Sequence, residues 1–135
     1  MTIHRGQTEG VQTLWGAAES HGQSGGVAWL YEATYSNNQS GGVARLWNNA
    51  ASRNQSGGEA ALWNNAKSHG QIGGEVELWD AAESHGMLGG TLYVRSPRAK
   101  VVNHLGGTVI WQEWRDGEWV ETRREVKPVV VKENA

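Results

Sequence analysis

The chain predicts an all-β tandem-repeat fold: a 16-residue β-solenoid or an intertwined trimeric β-helix, closed by a C-terminal β-hairpin. Three observations carry this expectation. Six stretches recur every 16 residues, at 6–15, 22–31, 38–47, 54–63, 70–79 and a degenerate 86–95. A fixed period of this length signals stacked units that bury an apolar face on their neighbours. Within that frame the constant columns alternate along the chain. Finally, Trp111 to Thr122 reads as a hairpin with a two-residue Asp116-Gly117 turn.

The alternation decides between strand and helix. Leu occupies 14, 30, 46, 62 and 78. Two residues earlier stand Gln12, Ala28, Ala44, Ala60 and Val76, and two further back a glycine at each of 10, 26, 42, 58 and 74. On the other side come Ala18, Thr34, Ala50, Ala66 and Ala82, then serine at 20, 36, 52, 68 and 84. All these columns are even-numbered, which is the period-two signature of a strand face. The odd column of Thr13, Trp29, Arg45, Ala61 and Glu77 varies as a solvated face does. A helix would align Val43, Leu46, Trp47 and Ala50, but it would need a glycine pair in every repeat. Each interior glycine costs a helix about 1 kcal/mol relative to alanine. Each repeat therefore reads as a short strand, a turn near Asn48-Asn49 or Asn64-Asn65, a second short strand, and a turn at Gln-Ser-Gly-Gly.

The expected organisation is an N-terminal anchor or cap at 1–5, the array at 6–95, and a cap or docking module at 96–135. Ser96-Pro97-Arg98 reads as a linker or loop. Gly106-Gly107 echoes the earlier glycine pairs one residue out of register. The Asp-Gly turn sets Arg115 opposite Glu118 and Trp114 opposite Trp119. Val129–Val131 reads as an edge strand, with Lys127, Pro128 and Lys132 as gatekeepers.

Composition limits the core. Of 135 residues 38% are hydrophobic, 19 are Gly and eight are Trp, and Phe and Cys are absent. So slender an interior argues for burial against other chains, hence a homo-oligomer and most simply a trimer. Without Cys there are no disulfide staples or thiolate metal sites. A net charge of −2 leaves no footprint for nucleic acid. No signal-peptide pattern follows Met1 and no apolar run approaches membrane-spanning length, so synthesis in the cytosol and residence in a soluble, possibly virion, assembly are expected.

The candidate chemistry lies in the remaining odd columns. Trp15, Tyr31, Trp47, Trp63 and Trp79 form a row followed by Asn48, Asn49, Asn64, Asn65 and Asp80. An exposed Trp leaves on the order of 150–250 Å² uncovered, so the row must either pack or bind. Trp with nearby Asn or Asp suits a sugar ring, aromatic to its apolar face and amides to its hydroxyls. His21, His69 and His85 share a column that could hold a metal if three chains met there, whereas solvated turn residues explain them more simply. His4 and His104 read as structural. The glycine pairs belong to no phosphate-binding motif, and the Asn38-Gln-Ser40 and Asn54-Gln-Ser56 sequons come with no secretion signal. Asp80 and Glu83 lack surroundings that would split their pKa values, and no nucleophile elbow occurs. No enzyme, cofactor or metal is therefore expected.

The strings Gly57-Gly-Glu-Ala-Ala-Leu-Trp63, Gly73-Gly-Glu-Val-Glu-Leu-Trp79 and Gly89-Gly-Thr-Leu-Tyr-Val94 resemble the repeats of bacteriophage fibre and tailspike stalks. The resemblance covers residues 22–95 and implies a trimeric, fibrous virion protein without catalytic residues. The leading expectation is thus a structural or attachment component of a fibrous assembly: a fibre, spike or decoration protein. The alternative is a small tandem-repeat lectin reading glycans through its Trp/Asn column. A third is a monomeric solenoid adsorbing to an extended surface.

Overall fold

In a computed structural model, which describes residues 3–16 and 18–127, the chain winds into a β-solenoid of about six turns. Each turn contributes one strand to each of two parallel sheets. The first sheet holds β1 (Ile3–Arg5), β3 (Glu19–His21), β5 (Tyr35–Asn37), β7 (Ala51–Arg53), β9 (Lys67–His69), β11 (Glu83–His85) and β13 (Lys100–Val102). The second holds β2 (Val11–Leu14), β4 (Val27–Leu30), β6 (Val43–Leu46), β8 (Glu59–Leu62), β10 (Glu75–Leu78), β12 (Thr91–Val94) and β14 (Gly107–Arg115). β15 (Glu118–Lys127) then folds back antiparallel on β14 and closes the edge of the second sheet. The edge strand expected at Val129–Val131, with its flanking Pro128 and Lys132, lies outside the described residues.

The register follows the repeat. Leu30 pairs with Leu14 and Leu46, and Ser36 with Ser20 and Ser52, so equivalent residues sit directly above one another within one chain. The even columns point inward as their period requires. Leu30, Leu46, Leu62, Leu78, Ala44 and Ala50 are fully buried, with Ser36, Ser52 and Ser68 beside them. The coil interior closes within a single chain, filled by leucine on one side and by alanine and serine on the other.

A buried ladder of glutamines completes that interior, and the alternation of apolar residues does not reveal it. Gln7, Gln23, Gln39, Gln55 and Gln71 are buried. The Gln39 side-chain amide donates to the carbonyls of Gly41 and Gly42 in its own coil (3.3 and 3.2 Å) and of Glu59 in the next (2.9 Å). Gln23, Gln55 and Gln71 repeat the pattern. Each ties the Gly-Gly corner to the following strand. In the last two coils Met87 and then His104 occupy this column.

The corners explain the glycine pairs. Gly58 has φ +72°, and a Cβ there would lie 2.6 Å from the Gly42 carbonyl oxygen of the preceding coil. A Cβ at Gly57 would overlap the Ser40 carbonyl. The coils approach too closely here for any side chain. The corner after the Trp column is left-handed too, with Asn48, Asn64 and Asp80 at positive φ. Asn64 Oδ1 accepts from the Asn48 backbone N–H at 3.1 Å, and Asp80 Oδ2 from that of Asn64 at 3.1 Å.

Ser96-Pro97-Arg98, expected as a linker or loop, lies in one lengthened corner between β12 and β13. β11 pairs Glu83 with Lys100 and β12 pairs Thr91 with Thr108, a step of 17 residues where earlier coils step 16. The extra residue is absorbed there and stacking continues beyond 95. This also accounts for the displaced Gly106-Gly107 pair. The hairpin forms in the expected register, with Trp114 opposite Trp119 and Arg115 opposite Glu118 around Asp116 and Gly117, both at positive φ.

Two measurements check this account. Gly58→Ala combines a left-handed conformation, worth about 1–2 kcal/mol, with a backbone overlap, so denaturant melts should show a loss well above that range. Gly22→Ala has the same φ sign but open space around its Cβ, and should lose only that amount. Met87→Gln restores the ladder amide opposite the Gly89 and Gly90 carbonyls but buries an amide oxygen without a partner, as at Gln71, so the two effects should offset to within about 1 kcal/mol.

Candidate functional site

Because equivalent residues stack at the strand spacing of about 4.8 Å, the Trp column becomes a continuous aromatic ladder along one edge of the solenoid. Ring centroids lie 4.2 Å apart for Trp15–Tyr31, 4.9 Å for Tyr31–Trp47, 4.7 Å for Trp47–Trp63 and 6.2 Å for Trp63–Trp79. Interplanar angles are 8–12° across these pairs. Trp29, one column over, stacks on Trp47 at 5.2 Å. The rings from Tyr31 to Trp79 are half-buried, with both faces on neighbours and mainly edges towards solvent. Trp15, at the outer end, is 58% exposed.

The ladder ends in a cation. Arg95 occupies the next position of the Trp column, and its guanidinium lies 5.3–5.4 Å from the rings of Trp79, Tyr93 and Trp119. It also pairs with Glu77 at 3.1 Å and donates to Gln112 Oε1 at 2.8 Å. Trp119 meets Trp79 edge-on at 5.3 Å, and Trp114 meets Trp119 the same way at 5.3 Å. Edge-to-face contact suits the ring quadrupoles. The hairpin thereby covers the last face of the stack. Trp114 itself is 60% exposed and borders a depression whose walls include Pro97, Trp111 and Gln112.

The structure separates the expected binding residues into two sets. Trp15, Tyr31, Trp47, Trp63 and Trp79 come together as the ladder. Asn48, Asn64 and Asp80 join it at the corner, but their side-chain oxygens cap backbone N–H groups of the preceding coil. Asn49 and Asn65 line a depression on the first sheet, and Asn65 also borders one with Asn64 and Asp80. Sequence reasoning missed the glutamine column, Arg95 and Trp29. The glutamines were visible as a constant column, yet they fall on odd positions, and a coil corner carries no strand alternation.

The histidine column lies on the outer face of the first sheet. His69 and His85 stack at 5.2 Å, and His85 Nε2 sits 2.9 Å from Glu83 Oε1. Among the described residues no three His, Asp or Glu side chains converge as metal ligands do. Desolvation lowers the His69 pKa below 6.5, and the charges of His85, Arg53 and Lys67 lower it further against the opposing pull of Glu83. His104 is buried at the end of the glutamine column. Its Nε2 lies 2.9 Å from the Gly107 carbonyl and its Nδ1 2.7 Å from Glu125 Oε1 on β15. That hydrogen bond is the main reason the Glu125 carboxyl titrates below its usual value. His104 therefore fastens the hairpin to the last coil.

Comparison with known proteins gives no matching family, no similar curated protein and no similar solved structure. The β-solenoid is thus the only part of the fibre resemblance that the fold itself supports.

His69 and Glu125 both have lowered folded pKa values, so unfolding binds protons as the solution is acidified. Stability should fall as pH drops below about 6.5, through His69, and again below about 4.5, through Glu125. Melts across pH 3–8 should show both losses. His69→Asn, which repeats Asn37 of the same column, should remove the upper one, and Glu125→Gln the lower.

Proposed function

We propose that the chain is a non-enzymatic structural or attachment component of a fibrous or virion-like assembly. The observation that carries this reading is the contrast between the two ends of the stack. At the C-terminal end β15 pairs with β14 on the second sheet, Trp119 and Arg95 cover the ladder, and His104–Glu125 fastens that cover, while β13 is the last strand of the first sheet among the described residues. At the other end β2 has no strand on its outer edge among the described residues. Val11 is 69% exposed there, and Trp15 presents an open ring face. An uncovered parallel edge is a template for another strand. A rod of fixed repeat whose aromatic ladder is covered at one end and open at the other suits a part that is built into something larger.

The interior closes within each coil of one chain, so in this reading copies, as a trimer, associate through the first coil and the exposed sheet edges. The lectin alternative gains support at a different place from the Trp column. Ladder rings lend their faces to one another, whereas Trp114 keeps much of its surface open beside the hairpin depression.

Sedimentation velocity over a concentration series tests the leading reading. The expected result is an elongated, associating species that Trp15→Glu converts to monomer without changing the circular dichroism spectrum. A monomer at all concentrations would overturn it. Glycan binding lost in Trp114→Ala and kept in Trp47→Phe would put the lectin first.

A further inference from the structure

The outer face of the first sheet carries a notch that the assembly reading does not use. One outward column runs Glu19, Tyr35, Ala51, Lys67, Glu83 and Lys100, and Ala51 is its one small side chain. Ala51 pairs in register with Tyr35 on one side and Lys67 on the other. The short side chain of Ala51, itself only 5% exposed, leaves a depression between Tyr35 and Lys67, whose backbones lie two strand spacings, about 9.6 Å, apart. The resulting depression has a volume of about 460 Å³.

The groups around it are mostly hydrogen-bond donors. Arg53, Lys67 and His69 form one wall, and the side-chain amides of Asn49 and Asn65 line it at the corner. Arg53 and Lys67 are exposed, and neither is in an ion pair among the described residues. The Arg53 guanidinium carbon lies over the Tyr35 ring, 4.2 Å from its centroid. Its N–H groups have no hydrogen-bond or ion-pair partner among the described residues, which leaves available the fork that matches an oxyanion. The one carboxylate at the rim, Glu83, is held by His85. The notch is thus locally cationic on a chain whose net charge is −2.

We propose that this notch binds an oxyanion, a phosphate or sulfate group, between Arg53 and Lys67, with His69 and the two asparagine amides as further donors. A bound dianion counters the positive charges of Arg53, Lys67 and His85 around His69, and so favours the imidazolium. The same chemistry could come as a free ion or as a substituent on a polymer, and the inference does not depend on the assembly reading.

The test follows the His69 ring signals by NMR at pH 6 while inorganic phosphate or sulfate replaces chloride at constant ionic strength. Saturable shifts centred on His69 are expected, together with a raised His69 titration midpoint. Arg53→Asn and Ala51→Gln should each weaken binding at least tenfold. Asn already stands at the Arg53 column in Asn37, and larger side chains already stand at the Ala51 column, so both variants should keep the wild-type melt. Lys67→Gln serves as a third variant if either does not. Shifts linear in salt, or equal in wild type and correctly folded variants, would overturn the proposal. A sulfated oligosaccharide that binds tighter than inorganic sulfate assigns the site to polymer-borne groups, and equal affinity per group assigns it to the free ion.

Discussion

Everything in this molecule depends on coils lying directly on one another at the β-sheet spacing. The closest contact is the Gly-Gly corner, where backbone of one coil meets backbone of the coil before it. Only glycine permits that approach, and its positive φ turns the chain into the next strand. Were the corners held apart, strand hydrogen bonds would lengthen in both sheets at once. The glutamine amides act at the same place, each donating to two carbonyls of its own corner and one of the next coil. Corner and sheets are therefore a single cooperative unit.

Stacking at this spacing multiplies whatever a column contains. A leucine column becomes a core and a tryptophan column becomes a ladder. Asparagines at a left-handed corner become a row of caps, each satisfying the backbone of its neighbour. Where a column changes residue, the surface changes with it. Alanine at 51 opens a notch lined by cations on the first sheet. Alanine at 61 opens a second depression on the other sheet, bordered by Trp63 and the carboxylates of Glu59, Glu75 and Glu77. The two faces of one regular rod thus differ in charge.

The ends follow from the same rule. A stack has no natural stop, since each coil presents the edge the next one would use. On the second sheet the chain covers one end by changing the residues of its own columns. Arg95 replaces a tryptophan and takes three rings around its guanidinium. His104 replaces a glutamine and reaches both the corner and β15. The extra residue at the Ser96–Ala99 corner shifts the numbering by one without breaking either sheet. The first coil keeps the unmodified edge, with Val11 and Trp15 uncovered.

The sequence by itself determined the period, the two strands of each coil, the inward leucine, alanine and serine columns, and the hairpin register around Asp116-Gly117. These are local properties. Side-chain alternation and turn chemistry are written in neighbouring residues, and a constant period lines them up. Whether the interior closed within one chain was not so written, because it depends on how tightly corners nest and on glutamines lying outside the strand alternation. Nor was the state of the Trp column. Tryptophan every sixteenth residue is compatible with open platforms or with stacked rings, and only in-register parallel pairing at about 4.8 Å decides for stacking. The same holds for the Ala51 notch, whose lining comes from four different strands and two corners. Residues 16 and 32 apart in sequence become neighbours there only once the coil is wound.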